Sequence, residues 1–284
     1  MMTKTRNMPS FIGIGAMRCG TTWITEQLRN HPEIHIPPHF KEVHFFDHFF
    51  DNGLDWYTAH FADMGTTQIA GEFTPNYIRD EHALDRIQQT CPDVKMILSL
   101  RNPIDRAFSH YNFLRIRKSI DSSFYEALFD SRFELLKAGL YGEQIQRCLN
   151  LFPLEQLHII NFEAIKSQPR QVMSELYGYL GVDKQFVPEA LHKKANEKHG
   201  VKSMFLSRSL KSARRMIRPY LTGQKGLMKG GFFKVGRAIN RLNSTEVEKI
   251  ELEEKALKYL KDYYKQDQLL LRSIMGEKKF DWES

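Results

Sequence analysis

Cysteine is scarce in this chain of 284 residues, which contains three cysteines, at positions 19, 91 and 148. An odd number at such wide spacing is typical of neither a disulfide framework nor a zinc site. We therefore expect a protein that resides in a reducing compartment.

Long apolar runs are also missing, since no stretch reaches the ~18 apolar residues that a membrane-spanning helix requires. The first nine residues are mostly polar and lack the apolar segment of a secretory signal peptide. With 42% hydrophobic residues the chain can still bury a substantial core. We expect a soluble, cytoplasmic protein with one domain over residues 1–284.

Acidic residues are absent from one stretch, residues 198–241, which holds twelve Lys and Arg side chains and no Asp or Glu. Its apolar residues recur at helical spacing: Leu206, Leu210, Ala213 and Ile217. This pattern predicts a basic amphipathic helix from Ser203 to Pro219. Such a helix suits an acidic acceptor or an anionic membrane surface, and we expect no nucleic acid partner. The alternative is an ordinary solvated charged face.

Short apolar runs alternate with segments of helical spacing along most of the chain. The predicted extended segments are Phe11–Ile14, Ile34–Ile36, Gln68–Gly71, Val94–Leu100 and Leu157–Asn161. Two predicted helices start at Thr21 and at Pro103. The other predicted helices span Arg79–Gln89, Ser123–Ala138, Tyr141–Phe152, Gln168–Leu180 and Thr245–Met275. The alternation predicts an α/β fold with a mostly parallel central sheet flanked by helices, into which the basic stretch is inserted.

A glycine-containing loop follows the first predicted strand. Gly15 and Gly20 have the spacing of a Walker A loop, but Thr21 and Thr22 stand where a nucleotide triphosphatase has Lys followed by Ser or Thr. The backbone N–H groups of such a loop and the positive end of the helix dipole favour a phosphate or sulfate group. Arg18 supplies the missing cation, and its guanidinium can bind two oxygens of one anion. The alternative is a plain tight turn, which also requires glycine.

A second anion site is predicted at Arg101, which follows the strand Val94–Leu100 directly. Open parallel sheets bind their ligands at this end of their strands. A P-loop kinase or triphosphatase needs a carboxylate there to hold magnesium, so an arginine indicates direct binding of an anion. Ser109 lies two turns into the helix that Pro103 begins, and we expect it to share a second phosphate group with Arg101.

Glu42 and His44 alternate with apolar residues in the segment that follows Pro38. On an extended backbone both polar side chains would face the same side. Two titratable groups of different pKa near an anion-binding loop make a candidate general base and its partner. The alternative is a surface loop with ordinary charges.

Taken together, these motifs resemble the P-loop sulfotransferases that use 3′-phosphoadenosine 5′-phosphosulfate (PAPS), above all the heparan sulfate glucosaminyl 3-O-sulfotransferases and their bacterial relatives. The segments that carry the resemblance are Arg18–Thr22, His31–Pro32, Lys41–Asp47, Trp56–Tyr57, Glu72–Pro75, Arg101–Tyr111 and Phe280–Trp282. The resemblance implies the P-loop NTPase-like sulfotransferase fold. It also implies transfer of a sulfuryl group from PAPS to a hydroxyl of a glycan, a lipid-linked sugar or a small metabolite. Because the transferred group carries one charge, arginine and backbone dipoles can replace a metal ion.

The resemblance further implies roles for individual residues. Those expected to bind PAPS are Arg18, Cys19, Gly20, Thr21, Thr22, Trp23, Arg101, Ser109, Lys198 and Gly200, the last two in a loop that closes over the nucleotide. Those expected at the acceptor are Glu42, His44, Asp47 and Phe73. Glu42 has the position of the catalytic base, with His44 as its partner. Arg18 would neutralise the charge that develops on the leaving phosphate.

Three positions depart from the family pattern. Arg18 replaces a loop lysine, Phe73 replaces an acceptor-site lysine, and residues 198–241 have no clear counterpart. Loss of the cation at Phe73 argues against a heparan-like acceptor.

Two other functions compete with this interpretation. A P-loop kinase would need the absent loop lysine and a carboxylate in place of Arg101. A non-enzymatic polyanion-binding protein would explain residues 198–241 but not the paired anion sites.

Overall fold

The computed structural model of the protein describes residues 8–38, 42–66, 68–117, 119–189, 191, 200–201, 244–245, 250–276, 280 and 282. The predicted basic helix Ser203–Pro219 lies outside these residues, and so does Lys198.

A parallel sheet forms the centre of the described part of the chain. Its strands are β1 (Phe11–Gly15), β2 (Ile34–His35), β3 (Ile69–Phe73), β4 (Lys95–Leu100) and β5 (Leu157–Asn161), in the order β2-β3-β1-β4-β5. Strand β1 is the middle strand, because Phe11 pairs with Gly71 of β3 on one side and with Lys95 of β4 on the other. Two short strands, β6 (Gly200–Val201) and β7 (Ser244–Thr245), form a separate antiparallel pair.

Helices connect and cover the strands. Those in the described part are α1 (Thr21–Asn30), α2 (Phe45–His48), α3 (Gly53–Thr58), α4 (Ala83–Thr90), α5 (Pro103–Ile116), α6 (Phe124–Ala127), α7 (Tyr141–Leu149), α8 (Phe162–Ser167), α9 (Pro169–Leu180) and α10 (Glu254–Met275). None of these helices combines the length and the apolar character needed to cross a bilayer. The arrangement confirms the predicted α/β fold with a mostly parallel sheet.

Alternating side chains of the strands feed two apolar cores. On β4, Met96 and Leu98 pack on one face of the sheet, whereas Ile97 packs on the other. The first core includes residues of α2, α4 and α7, and the second includes residues of α1 and α9. A third apolar cluster joins α5, α6 and α10. The buried strands explain why continuous apolar runs marked the sheet so well.

Phe73 belongs to the second core and not to an exposed acceptor surface. Strand β3 continues two residues beyond the predicted end at Gly71, and the Phe73 side chain is 2% exposed. A Cβ on Gly13 of β1 would lie 2.2 Å from the Phe73 ring. The ring therefore fills the space that glycine leaves open, and the structure does not bring Phe73 to the acceptor site.

The predicted helix Ser123–Ala138 is wrong for most of its length. Helix α6 has four residues, capped by reciprocal hydrogen bonds between Ser123 and Glu126. Beyond its end the chain turns, with the Asp130 carboxylate accepting the backbone N–H of Arg132 and Glu134 at a left-handed φ of 49°. A short 3-10 turn follows at Lys137–Gly139.

Two further helices begin later than predicted. Helix α4 starts at Ala83 and not at Arg79, because the Asp80 carboxylate accepts the N–H groups of His82 and Ala83. Helix α10 starts at Glu254, while Thr245 lies in β7. Glu253 has an extended backbone, and its side chain accepts the Tyr125 N–H at 3.0 Å.

Candidate active site

The loop between β1 and α1 is held in one conformation by its backbone. Arg18 and Gly20 have left-handed φ values of 71° and 80°, and Gly20 forms the N-terminal boundary of α1. The Ser99 hydroxyl of β4 donates to the carbonyl of Cys19 at 2.6 Å, which ties the loop to the neighbouring strand. No side chain of the described residues caps α1, so the first N–H groups of this helix point toward the space in front of it.

Cys19 contributes packing to this loop. Its side chain is fully buried, and its sulfur lies 3.5 Å from the Tyr141 hydroxyl. Burial raises the pKa of the thiol to about 11, so the thiol is neutral at physiological pH. Its backbone N–H is used within the loop, since it donates to the carbonyl of Ala16 at 3.2 Å.

Arginine side chains converge beside the loop. Arg18 lies over the Phe113 ring of α5, with its guanidinium carbon 4.7 Å from the ring centroid, and its Nε donates to Ser109 Oγ at 3.4 Å. Burial and, after it, the positive charges of Arg101 and Arg117 lower the pKa of Arg18 to about 10. Cations that repel one another while partly removed from water make a candidate anion-binding site.

Arg101 is the first residue after β4 and is 19% exposed. It lies over the Phe162 ring at 5.0 Å and is 3.4 Å from the Asp105 carboxylate. Its buried Nε has no hydrogen-bond partner among the described residues. The binding of a ligand by this donor at the carboxyl end of the sheet stays a prediction.

Two basic residues of α5 were not singled out from the sequence. Arg106 is fully buried and donates to the carbonyl of Leu135, whereas its Nε and Nη1 have no hydrogen-bond partner in the described part of the chain. Burial lowers the pKa of His110 to about 3, and Arg106 and Arg18 add to this effect, so its imidazole is neutral. Both residues lie on the helix that follows Arg101. Their i, i+4 spacing, which places them on one face of that helix, was the sequence signal that could have identified them.

Glu42, His44 and Asp47 form a hydrogen-bonded cluster. His44 Nδ1 lies 2.8 Å from Asp47 Oδ2, and His44 Nε2 lies 3.2 Å from Glu42 Oε2. Burial alone would lower the pKa of His44, but the hydrogen bonds to Asp47 and Glu42 outweigh it and raise the pKa to about 9. The Asp47 side chain is 1% exposed, whereas that of Glu42 is 44% exposed. Glu42 is thus the carboxylate that an incoming molecule can reach.

The predicted backbone of this cluster is wrong, although the predicted pair does form. Glu42 and His44 have left-handed φ values of 75° and 57° and are not on an extended strand. Helix α2 follows directly and brings Asp47 one turn back to His44. The two side chains therefore meet through two unusual backbone conformations.

The same cluster offers potential metal ligands, because single ligand atoms of His44, Asp47 and His48 lie within 4.8 Å of one another. An imidazole must be neutral to bind a metal. The raised pKa of His44 instead favours the imidazolium, which pairs with the two carboxylates. The geometry is that of an ion-pair network.

The structure also describes Trp23, Thr21 and Gly200, which the sequence predicted as site residues. Trp23 is 8% exposed in the second core, and its indole N–H donates to the carbonyl of Leu191 at 3.3 Å. Thr21 is 7% exposed, and its carbonyl accepts the Thr25 hydroxyl. Gly200 pairs with Thr245, so the expected lid of Lys198 and Gly200 stays a prediction.

Comparison with known proteins gives the family. Residues 9–233 match the sulfotransferase domain. The chain belongs to the sulfotransferase family. This confirms the family resemblance and the expected sulfotransferase fold.

Individual relatives agree with this assignment. The chain is 28% identical to the membrane-associated sulfotransferase kil1 of Dictyostelium discoideum, over 62% of this chain and 56% of that protein. It is 30% identical to heparan sulfate glucosamine 3-O-sulfotransferase 6 of Mus musculus, over 62% of this chain and 53% of that protein. The chain thus spans about half the length of these curated relatives. A solved sulfotransferase from Alicyclobacillus acidocaldarius superposes with a TM-score of 0.68 at 25% identity, over 94% of this chain and 96% of that one.

Proposed function

We propose that this sulfotransferase moves a sulfuryl group from PAPS to an acceptor hydroxyl. The observation that carries the proposal is the proximity of an arginine cluster to an accessible carboxylate. Arg18 and Arg117 contact the same Phe113 ring, at 4.7 and 4.0 Å. Burial lowers the pKa of Arg117, whereas the negative charge of Glu42 raises it. Glu42 therefore lies close enough to Arg117 for the two charges to interact.

The two anion sites suit the two ends of PAPS. The loop Arg18–Thr22 and the start of α1 would hold the 5′-phosphosulfate, and Arg101 with Ser109 would hold the 3′-phosphate. The hydrogen bond from Arg18 to Ser109 supports this proposal, because it joins the groups assigned to both ends. Trp23 lies on α1 beyond the loop, where it would border the adenine.

Glu42 is the preferred general base. A residue that accepts the acceptor's proton must be unprotonated and accessible. His44 is mostly protonated below pH 9, while Glu42 is 44% exposed. His44 would then orient Glu42, and Asp47 would hold His44 from the buried side.

The transfer is balanced without further reactants. The acceptor hydroxyl gives its proton to Glu42, and its oxygen forms a bond to sulfur as the bond from sulfur to the 5′-phosphate oxygen breaks. The products are a sulfate ester and adenosine 3′,5′-bisphosphate. Arg18 neutralises the charge that develops on the leaving phosphate, as electrostatic catalysis requires.

We infer a carbohydrate hydroxyl as the acceptor class, because several related proteins are named for heparan sulfate glucosamine. The basic residues 203–219 would recruit an acidic acceptor or an anionic membrane, and cytoplasmic location remains part of the proposal. Replacement of Arg214, Arg215 and Arg218 by Ser should then raise the acceptor KM or weaken binding to anionic vesicles, most clearly at low salt. Unchanged values of both would leave these residues as a solvated charged face.

Nucleotide preference tests the proposed function directly. Adenosine 3′,5′-bisphosphate should raise the melting temperature, since a ligand that binds only the native state stabilises it. ATP with magnesium should raise it much less, and Arg101→Ala should lose most of the shift. Mass spectrometry of products formed from labelled PAPS in a lysate would identify the acceptor. A larger shift from ATP and magnesium would favour a P-loop kinase.

A further inference from the structure

A buried carboxyl group lies beneath the segment that carries Glu42 and His44. Glu72 is 1% exposed near the end of β3 and is surrounded by three hydroxyl groups. Its Oε2 accepts the Thr74 hydroxyl at 2.7 Å. Its Oε1 accepts the hydroxyls of Tyr77 at 2.8 Å and of Tyr57 at 3.3 Å.

Two of these hydroxyls also bind the backbone of the segment above. The Tyr77 oxygen accepts the N–H of Phe45 at 2.9 Å and that of Phe46 at 3.4 Å. The Thr74 oxygen accepts the N–H of His44 at 3.3 Å. A hydroxyl has a single proton, so donation to Glu72 leaves its oxygen as the acceptor for these N–H groups. Glu72 thereby sets the direction of the bonds that hold residues 44–46.

The segment needs such support because of its backbone. Glu42 and His44 both have left-handed φ values, and each such residue costs about 1–3 kcal/mol unless the surroundings compensate. The bonds from Tyr77 and Thr74 fix the N–H groups of residues 44–46, directly after the two left-handed positions.

We propose that Glu72 is a positioning residue that holds Glu42 and His44 in their paired geometry through Thr74 and Tyr77. This inference relies on the proposed function only for the catalytic role of Glu42. The geometry of the network is independent of the reaction.

The charges around Glu72 agree with this role. Burial outweighs the three hydroxyl donors and the charge of His44, so the pKa of Glu72 is raised to about 7. The other groups that face it are neutral at physiological pH, because burial raises the pKa values of Tyr57, Tyr77 and Cys91. The bond directions require the carboxylate, which Glu72 carries for the most part above pH 7, the range in which His44 titrates.

Two tyrosines provide a matched pair of variants. Both hydroxyls are buried and donate to Glu72, but only the Tyr77 oxygen binds the 44–46 backbone. Tyr77→Phe removes that link, whereas Tyr57→Phe removes a donor from Glu72 and keeps the ring that stacks on Phe45 at 4.3 Å. Glu72→Gln is a third variant. Because the amide N–H₂ of glutamine donates hydrogen bonds, one of the three hydroxyls would have to accept a hydrogen bond where it now donates one.

The first measurement is the pKa of His44 by NMR, with its resonance assigned by comparison with His44→Gln. The pKa should fall toward 6.5 by at least one unit in Tyr77→Phe and Glu72→Gln and stay near 9 in Tyr57→Phe. Circular dichroism checks that each variant is folded. An unchanged His44 pKa in folded Tyr77→Phe would overturn the proposal, and so would an equal fall in Tyr57→Phe.

The second measurement separates this inference from the proposed function. In a PAPS turnover assay, Tyr77→Phe should lower kcat by roughly tenfold or more and leave the affinity for adenosine 3′,5′-bisphosphate unchanged. A shifted His44 pKa with no sulfuryl transfer by the unmodified protein would support the positioning role and contradict the proposed reaction. Normal transfer with unchanged kcat in Tyr77→Phe would contradict the positioning role alone.

Discussion

The guanidinium of Arg18 reaches from the β1–α1 loop to helix α5, where its Nε donates to Ser109 Oγ at 3.4 Å. The two residues are 91 positions apart in the sequence. Their contact joins two segments that the sequence predicted separately as anion sites. One ligand that spans both sites would therefore be held by a connected set of donors.

Ser109→Ala should weaken binding of adenosine 3′,5′-bisphosphate by roughly tenfold, because loss of a hydrogen bond to a charged group costs about 1.5 kcal/mol. The variant removes a ligand donor and also the partner of Arg18. Calorimetric titration with the nucleotide gives the affinity. Ser273→Ala is the matched control, since that exposed hydroxyl donates to the Leu270 carbonyl of its own helix. Equal affinities of both variants would contradict the assignment of Ser109.

Gly20→Ala should destabilise the protein and Gly178→Ala should not. Gly20 has a φ of 80°, and a Cβ there would lie 2.8 Å from the Phe162 ring, so we expect a loss of about 1–2 kcal/mol. Gly178 lies inside α9 with no atom within 4 Å of a Cβ, and alanine there should add about 0.5–1 kcal/mol. Urea unfolding measures both. A neutral Gly20→Ala would show that the loop does not need this conformation.

The sheet was predictable because buried parallel strands leave continuous apolar runs in a sequence. Leu157–Asn161 was predicted with its observed bounds. The helix Ser123–Ala138 was wrong because its second half turns, where the Asp130 carboxylate accepts a backbone N–H and Glu134 has a left-handed φ of 49°. Such local competition depends on side-chain geometry, which helical periodicity does not report.

The candidate site, like the fold, could be predicted from the sequence only in part. Glu42 and His44 were predicted as a pair, but left-handed φ values of non-glycine residues have no sequence signature. Arg106 was missed because a charged side chain is normally exposed, whereas here it is fully buried. The network of Glu72, Thr74 and Tyr77 depends on contacts between β3 and the 44–46 backbone that only the folded chain brings together.

Glu42→Gln should lower turnover by ~10²–10⁴-fold, since glutamine has the size of glutamate but cannot accept the acceptor's proton. The affinity for adenosine 3′,5′-bisphosphate should stay unchanged. His44→Gln should lose less, because a protonated imidazole is not the base. Glu155→Gln, at an exposed position, is the control. If His44→Gln lost more turnover than Glu42→Gln, the base would be His44.

The protonated state of His44 also predicts how stability depends on pH. The folded pKa of His44, about 9, is above the ordinary value of 6.5, so the unfolded chain releases this proton at lower pH than the folded one. The stabilisation is therefore complete below pH 6.5 and is lost as the pH rises through 9. This stabilisation amounts to about 2 kcal/mol. It is smaller than the full pKa shift of His44 implies, because Glu42 is partly exposed to water.

Urea unfolding at pH 6, 7, 8 and 9 checks this prediction. The free energy of unfolding of the unmodified protein should approach that of His44→Gln as the pH rises, and His82→Gln, at an exposed histidine, is the control variant. A difference from His44→Gln that does not change with pH would mean that the carboxylates do not hold the imidazolium in solution. Glu42 would then lose its orienting partner, and the argument that a protonated His44 leaves Glu42 as the base would fail with it.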